Sequence, residues 1–257
     1  MPVPTISTLP TLLMYKPYIL YIVLLMYACT LSKSLQAKVY LVSVGISDYP
    51  GTKNDLSLPA NDARTMAWLY SKNSAVEYTL LINGQATLRN INAAMNRQYA
   101  KATANDIVVL FFSGHGYPGG FVAYDGKMDY SMVRRAMART SCRHKMIFAD
   151  ACFSGRIAGN RHNSANSVAS AKNADVMLFL SSRSNETSIE CPSMQNGFFT
   201  TALQRGLRGG ADANNDRIIT ARELFTYVHN MVTQLSNNRQ HPVMWGKFPD
   251  NLVVMRW

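Results

Sequence analysis

Cysteine and charge are both scarce in this chain of 257 residues. The four cysteines, at positions 29, 142, 152 and 191, form no C-x-x-C pair, which excludes a zinc ribbon, and they are too few for a disulfide-held scaffold. Charged residues make up only 16%, with 15 acidic and 26 basic side chains. Hydrophobic residues make up 47%, which is enough for a sizeable core and excludes a disordered chain.

Residues 1–37 contain no acidic side chain and only two lysines, Lys16 and Lys33. Without those two charges the net charge falls from +11 to +9 for the rest of the chain. The apolar run 18–28 is shorter than the roughly 20 residues that a membrane span needs, but it fits the core of a signal peptide. We therefore expect cleavage after Ala37 and a secreted or periplasmic protein with no stable membrane insertion. A lipid anchor at Cys29 and an uncleaved anchor are the alternatives.

The remaining residues, 38–257, are expected to form one domain in which strands alternate with helices. Apolar and β-branched runs predict strands at 38–45, 78–82, 106–112, 145–149, 176–180 and 242–245, and a hairpin at 119–126. Helical spacing predicts helices at 60–70, 88–99, 131–139, 197–207 and 220–235. We expect Thr87 to cap the second helix, and Asn61 and Asp62 to cap the first. This alternation indicates an α/β fold with a mainly parallel sheet flanked by helices, interrupted by a mobile loop at 155–173.

A histidine and a cysteine follow two of the predicted strands. His115 lies in Ser-Gly-His-Gly after strand 106–112, and Cys152 lies in Asp-Ala-Cys-Phe-Ser-Gly after strand 145–149. Functional groups collect beyond the carboxyl ends of parallel strands, so neighbouring strands would bring these two residues to one crevice. A thiol beside an imidazole is the basic pair for nucleophilic catalysis. We place each residue in a short turn that contains glycine, which lets backbone N–H groups approach a substrate closely.

These two segments resemble the histidine and cysteine boxes of the caspase and metacaspase family of cysteine peptidases, in a secreted bacterial form. Segments 44–49, 58–63, 196–203 and 240–242 resemble other parts of that family. The resemblance covers about residues 38 to 257 and implies a three-layer caspase-like fold and an endopeptidase that requires no cofactor. It also implies a dyad of His115 and Cys152, with the backbone N–H groups of Gly116 and Cys152 holding the oxyanion.

Two features differ from relatives in that family. Phe153 stands where metacaspases often have a histidine after the nucleophile. The dyad residues are 37 positions apart, compared with about 50 in caspases. This separation leaves room for only a hairpin and one helix between the two strands.

Asp62, Ser113 and Asp150 resemble the acidic pocket with which metacaspases bind arginine or lysine before the cut bond. Carboxylates suit a guanidinium because the pairing is strong and directional. The alternatives are a helix cap for Asp62 and a structural hydrogen-bonding role for Asp150. If the pocket prediction is right, the loop residues Arg156, Arg161, Lys172 and Arg183 become candidate self-cleavage points, unless they are simply solvated.

Residues 212–223 have the ligand spacing of an EF-hand calcium loop. Oxygen ligands fall at positions 1, 3, 5, 9 and 12, with a carbonyl at position 7, and these are Asp212, Asn214, Asp216, Thr220, Glu223 and Ile218 respectively. Arg217 occupies the position at which the loop favours glycine. Calcium is therefore a possible cofactor, and the alternative is a polar connector that caps the next helix.

The expected partner is a protein or peptide substrate. The positive charge could suit nucleic acid, but the basic residues are scattered and not interleaved with aromatic residues, so we expect no nucleic-acid partner. An inactive caspase-like binding module is the other alternative, although such modules usually lose the Cys or the His. Cys142 and Cys191 are expected not to pair, since they fall at opposite edges of the predicted sheet. The sequence gives no oligomeric state.

Overall fold

Ten strands build the sheets of the computed structural model, which describes residues 37–72, 75–117, 119–152, 175–182 and 194–256. Each predicted strand is present, and a further short antiparallel pair joins β8 to β10. The strands are β1 Val39–Gly45, β2 Val76–Ile82, β3 Ile107–Tyr117, β4 Gly120–Ala123, β5 Gly126–Asp129, β6 His144–Cys152, β7 Met177–Leu180, β8 Ile218–Thr220, β9 Val243–Trp245 and β10 Val253–Arg256.

Five helices cover the sheet in the described part of the chain, and all five were predicted from the sequence. Short helical turns at Thr52–Asn54 and Asn83–Gln85 precede the first two helices, and a π turn at Gly206–Gly210 follows the fourth. The helices are α1 Pro59–Ser71, α2 Leu88–Tyr99, α3 Tyr130–Ala138, α4 Phe198–Arg205 and α5 Ala221–Leu235.

The main sheet has the order β2-β1-β3-β6-β7-β9. The first five strands of that order are parallel to one another, and β9 runs antiparallel to β7. The β4–β5 hairpin pairs with the end of β3, so that this hairpin and α3 fill the chain between β3 and β6. The predicted α/β architecture with a mainly parallel sheet is confirmed.

Residues of β3 alternate between the two faces of the sheet and divide the core into two layers. Phe112 packs in the layer beneath α2 and α3, whereas Phe111 packs in the layer beneath α1, α4 and α5. Both phenylalanines are fully buried, as expected for a central strand that is covered on both faces. The result is a three-layer fold in which the sheet lies between two layers of helices.

The predicted helix cap at Thr87 is present, and the predicted cap of the first helix is wrong. The Thr87 hydroxyl accepts the N–H of Asn90 at 3.2 Å, and Thr220 and Glu223 form a capping box at the start of α5. The first helix instead begins at Pro59, with Leu58 at the cap position and no side-chain cap. The Ser47 hydroxyl accepts the Ala60 N–H at 3.0 Å, and the Leu58 carbonyl accepts the N–H groups of Asn61 and Asp62. These acceptors satisfy the first N–H groups of the helix, so neither Asn61 nor Asp62 acts as its cap.

Several sequence predictions concern residues outside the described ranges. These are the signal peptide and its alternatives, the loop at 155–173 with its basic self-cleavage candidates, Phe153 and Cys191. They stay predictions. Within the described ranges, no helix combines the length and apolarity needed to cross a membrane.

Candidate active site

The sheet register places His115 directly beside Cys152. Strands β3 and β6 are parallel neighbours, and these two residues are partners at the last paired position. Neighbouring strands lie about 4.8 Å apart, so the two backbones are as close as adjacent strands allow. The sequence placed both residues in turns after the strands. That detail is wrong, because β3 continues past His115 and Cys152 is the last residue of β6.

A backbone carbonyl holds the His115 ring. Its Nε2 atom lies 2.8 Å from the Asn54 carbonyl oxygen, in the helical turn Thr52–Asn54. A carbonyl can only accept, so Nε2 carries the proton and Nδ1 is left as the basic nitrogen of the neutral ring. The imidazole is therefore fixed in one tautomer and one orientation, as a general base requires.

Tyr49 fixes the backbone at His115 and contacts the ring. Its hydroxyl accepts the His115 N–H at 2.9 Å and donates to the Val122 carbonyl of β4 at 3.1 Å. The Tyr49 and His115 ring centroids are 4.8 Å apart. A Cβ atom on Gly114 would lie 2.6 Å from the Tyr49 hydroxyl, so this contact needs a glycine there. The sequence analysis did not assign Tyr49 to the site.

Gly116, the predicted oxyanion donor, lies one residue after His115. It pairs with Phe121 at the base of the hairpin and stays partly exposed. The backbone at this position therefore lies at the carboxyl edge of the sheet, beside the last paired residues of β3 and β6. The oxyanion role of Gly116 and Cys152 stays a prediction.

The fold brings the three predicted pocket residues together. Ser113 and Asp150 are register partners on β3 and β6, and the Ser113 hydroxyl donates to Asp62 Oδ2 at 2.8 Å. Asp62 is 2% exposed and Asp150 is 8% exposed. Two acidic side chains are thus buried side by side. Asp150 lies on β6, two residues before Cys152, and Asp62 lies on α1.

Donors from the start of α4 satisfy both carboxylates. Asp62 Oδ1 accepts the Asn196 side-chain amide at 2.9 Å and the Gly197 N–H at 3.1 Å. Asp150 Oδ2 accepts the Thr200 hydroxyl at 3.0 Å and its N–H at 3.3 Å. The positive end of the α4 dipole therefore faces the acidic pair. The sequence quoted segment 196–203 only for its resemblance and assigned these three residues no role.

Gly197 lies so close to the two carboxylates that a side chain at this position would collide with Asp150. A Cβ atom there would lie 2.6 Å from Asp150 Oδ2 and 3.6 Å from Asp62 Oδ2. Burial and the nearby Asp150 charge raise the pKa of Asp62 to about 8, although its hydrogen-bond donors act in the opposite direction. A cation placed beside the two carboxylates would act against this shift.

The predicted calcium loop makes its hydrogen bonds internally. Asp212 accepts the N–H groups of Asp216 and Arg217, Asn214 Oδ1 accepts the Asp216 N–H, and Asp216 Oδ1 accepts the Ile218 N–H. Arg217 adopts a left-handed φ of 63°, the conformation for which glycine is favoured.

Thr220 and Glu223, the last two predicted calcium ligands, bond each other in the capping box of α5. No group of three His, Cys, Asp or Glu side chains placed to hold a metal occurs in the described ranges. The helix cap that the polar-connector alternative expected is therefore present. Calcium binding stays a prediction.

Cys142 is a free, buried thiol far from the dyad. Its Sγ donates to the Asp106 carbonyl at 2.8 Å, and burial raises its pKa. A buried neutral thiol that is already hydrogen-bonded is a poor nucleophile. Cys142 therefore offers a matched control for Cys152.

Comparison with known proteins agrees with this architecture. A family profile for the caspase domain matches residues 39–253. No curated protein matches the chain. Among solved structures, a protein from Geobacter sulfurreducens is 17% identical with a TM-score of 0.64, and the match covers 85% of this chain and 97% of that one.

Two caspase structures also match. Caspase-1 from Spodoptera frugiperda is 15% identical with a TM-score of 0.62, over 86% of this chain and 90% of that one. The structure of pro-sf-caspase-1 is 16% identical with a TM-score of 0.61, over 85% and 95% of the two chains. These likenesses concern the fold, and the profile match spans most of the chain. The chain belongs to the caspase-domain family.

Proposed function

We propose that this protein is a cysteine endopeptidase with Cys152 as nucleophile and His115 as general base. The observation that carries the proposal is the register pairing of these two residues at the carboxyl edge of the sheet, with His115 Nε2 held by the Asn54 carbonyl. Membership of the caspase-domain family supports it. A protein or peptide is the substrate, and no cofactor enters the reaction.

Each step of the proposed reaction transfers a proton or makes or breaks a bond. His115 Nδ1 takes the thiol proton of Cys152, and the thiolate sulfur attacks the peptide carbonyl carbon. The N–H groups of Gly116 and Cys152 stabilise the oxyanion. The imidazolium then protonates the leaving amine as the C–N bond breaks, and water, deprotonated by His115, hydrolyses the thioester.

Asp62, Ser113 and Asp150 form the proposed pocket for the residue before the cut bond. The pair of buried carboxylates favours a cationic side chain, and a guanidinium can bond two carboxylate oxygens at once. Cleavage after arginine, and less efficiently after lysine, follows from this charge.

Labelling with a peptide probe tests the nucleophile. A peptidyl acyloxymethyl ketone that ends in arginine should label the wild type and Cys142→Ala at one site, and it should not label Cys152→Ala. Mass spectrometry of the labelled peptide locates the thioether. Labelling of Cys152→Ala at the wild-type rate would contradict the proposal and would favour a different thiol.

Tyr49 is proposed as a positioning residue for His115. Tyr49→Phe removes the hydroxyl and leaves the His115 N–H and the Val122 carbonyl without this partner, a loss on the order of 1–3 kcal/mol. We expect kcat to fall roughly tenfold, because about 1.4 kcal/mol corresponds to a factor of ten, while KM changes little. Steady-state kinetics on an arginine peptide measures both constants.

Tyr78→Phe is the control for this prediction, because Tyr78 is 47% exposed on the edge strand β2. It should leave kcat unchanged. An unchanged kcat in Tyr49→Phe, or a loss that appears in KM alone, would remove the positioning role.

A further inference from the structure

Two adjoining cavities lie at the end of the sheet opposite the dyad. The larger, of about 460 Å³, lies between α3 and the first residues of β6 and β7, and the smaller is about 340 Å³. They share Lys145 and Asp175 in their walls. Strand β6 runs from His144 at this end to Cys152 at the other, so roughly 26 Å of strand separates the cavities from the dyad. These cavities are distinct from the proposed active site.

The cavity walls are strongly cationic. Five basic side chains line them, against the single carboxylate of Asp175. Arg143, Lys145 and Lys247 form no salt bridge with any residue that the structure describes. The basic residues are Arg134, Arg135, Arg143, Lys145 and Lys247. Four of them lie within residues 134–145, and the fold brings Lys247 from the end of the chain to the same cavities.

The smaller cavity also has an apolar wall. Phe248, Pro249 and Leu252 line it together with Met177. Phe248 is only partly buried, so part of its ring is accessible. Volumes of this size suit small organic ligands. Arginine and lysine side chains are the usual partners of phosphate groups, and an accessible aromatic ring is a stacking surface for a base.

From this arrangement we infer that the two cavities bind a nucleoside polyphosphate. Its phosphate chain lies against Arg134, Arg135 and Lys145 in the larger cavity, and its base packs on Phe248 in the smaller. The Arg135 guanidinium already bonds the Ser131 hydroxyl one helical turn away, which holds it toward this face of α3. The inference does not depend on the proposed peptidase activity.

Calorimetry on the full chain at physiological salt tests it with three probes: ATP, inorganic tripolyphosphate and adenosine. We expect saturable binding of ATP, weaker binding of tripolyphosphate by about tenfold, and no heat from adenosine, since the phosphates supply the charge pairing and the base only the stacking. Arg135→Gln combined with Lys145→Gln should weaken ATP binding by about a hundredfold. Phe248→Leu should reduce ATP affinity to the tripolyphosphate level without changing tripolyphosphate binding.

The matched control is Arg64→Gln combined with Arg89→Gln, two exposed helix arginines that line neither cavity. It removes the same charge and should keep the wild-type affinity. Equal loss in the control pair would mean nonspecific attraction to a basic protein and would overturn the site. Absence of saturable ATP binding, or ATP binding no tighter than that of tripolyphosphate, would overturn it as well.

Discussion

Cys152→Ala is expected to abolish peptide hydrolysis, and His115→Ala to reduce kcat by a factor of 10² or more. Alanine at 152 removes the sulfur that forms the acyl-enzyme bond, so no covalent route remains. Loss of the imidazole removes acid–base assistance, which typically contributes 10²- to 10⁴-fold. The physical basis is the register pairing of His115 with Cys152 at the end of β3 and β6, which brings the proposed base and the proposed nucleophile to facing positions on neighbouring strands. Initial rates on a fluorogenic arginine peptide measure both effects.

Cys142→Ala is the matched control for the dyad prediction. It removes the buried thiol that bonds the Asp106 carbonyl, and it should keep turnover within a few-fold of the wild type. Thermal unfolding of each variant separates loss of catalysis from loss of fold. Normal turnover in folded Cys152→Ala would contradict the cysteine-peptidase proposal. If Cys142→Ala folded normally but was inactive, Cys142 would be the nucleophile instead of Cys152.

Local signals in the sequence predicted most of the fold. The β3 run Ile107–Phe112 is apolar on both faces, and only a central strand covered on both sides accommodates that pattern. Thr87 and Thr220 mark helix starts because a hydroxyl beside a free N–H is a local interaction between residues three apart. The separation of 37 positions between His115 and Cys152 predicted one hairpin and one helix, and the structure has β4, β5 and α3 there.

Contacts between distant parts of the chain escaped prediction. The Asn54 carbonyl reaches His115 from 61 residues away, and the Tyr49 hydroxyl from 66. Asn196 reaches Asp62 over 134 residues. A backbone carbonyl carries no residue-type signal, and an asparagine in a loop has many possible partners. The helix cap assigned to Asp62 was wrong for the same reason, because a local explanation was available and the true partners lie on other elements.

Hydrolysis is expected to be fastest after arginine, slower after lysine, and at least 10²-fold slower after aspartate. Asp62 and Asp150 are buried together, so a substrate aspartate would bring a further carboxylate, with no cation to pair it, into a site with little solvent. An uncompensated buried charge costs several kcal/mol, which sets the scale of the discrimination. Fluorogenic peptides that differ only before the cut bond measure the ratio of kcat/KM. Faster hydrolysis after aspartate would remove the pocket assignment and leave the dyad proposal intact.

Citrulline is the sharpest control for that pocket, since it has nearly the shape of arginine and no charge. The arginine-to-citrulline ratio of kcat/KM cancels the titration of the dyad and reports the pocket alone. The raised pKa of Asp62, about 8, means that this carboxyl gains a proton and loses its charge as the pH falls through that value. The ratio should therefore fall as the pH is lowered from 9 to 6.

Asp150→Asn should lower the ratio at every pH, by about tenfold at pH 9, because one of two charges is gone while Thr200 can still donate to the amide oxygen. It should also move the remaining pH dependence to lower pH, since the Asp150 charge is one of the causes that raise the pKa of Asp62. Asp62→Asn should lower the ratio too, but by less, because Asp150 lies on β6 only two residues before Cys152. If neither substitution changed the arginine-to-citrulline ratio, the substrate arginine would have to bind elsewhere.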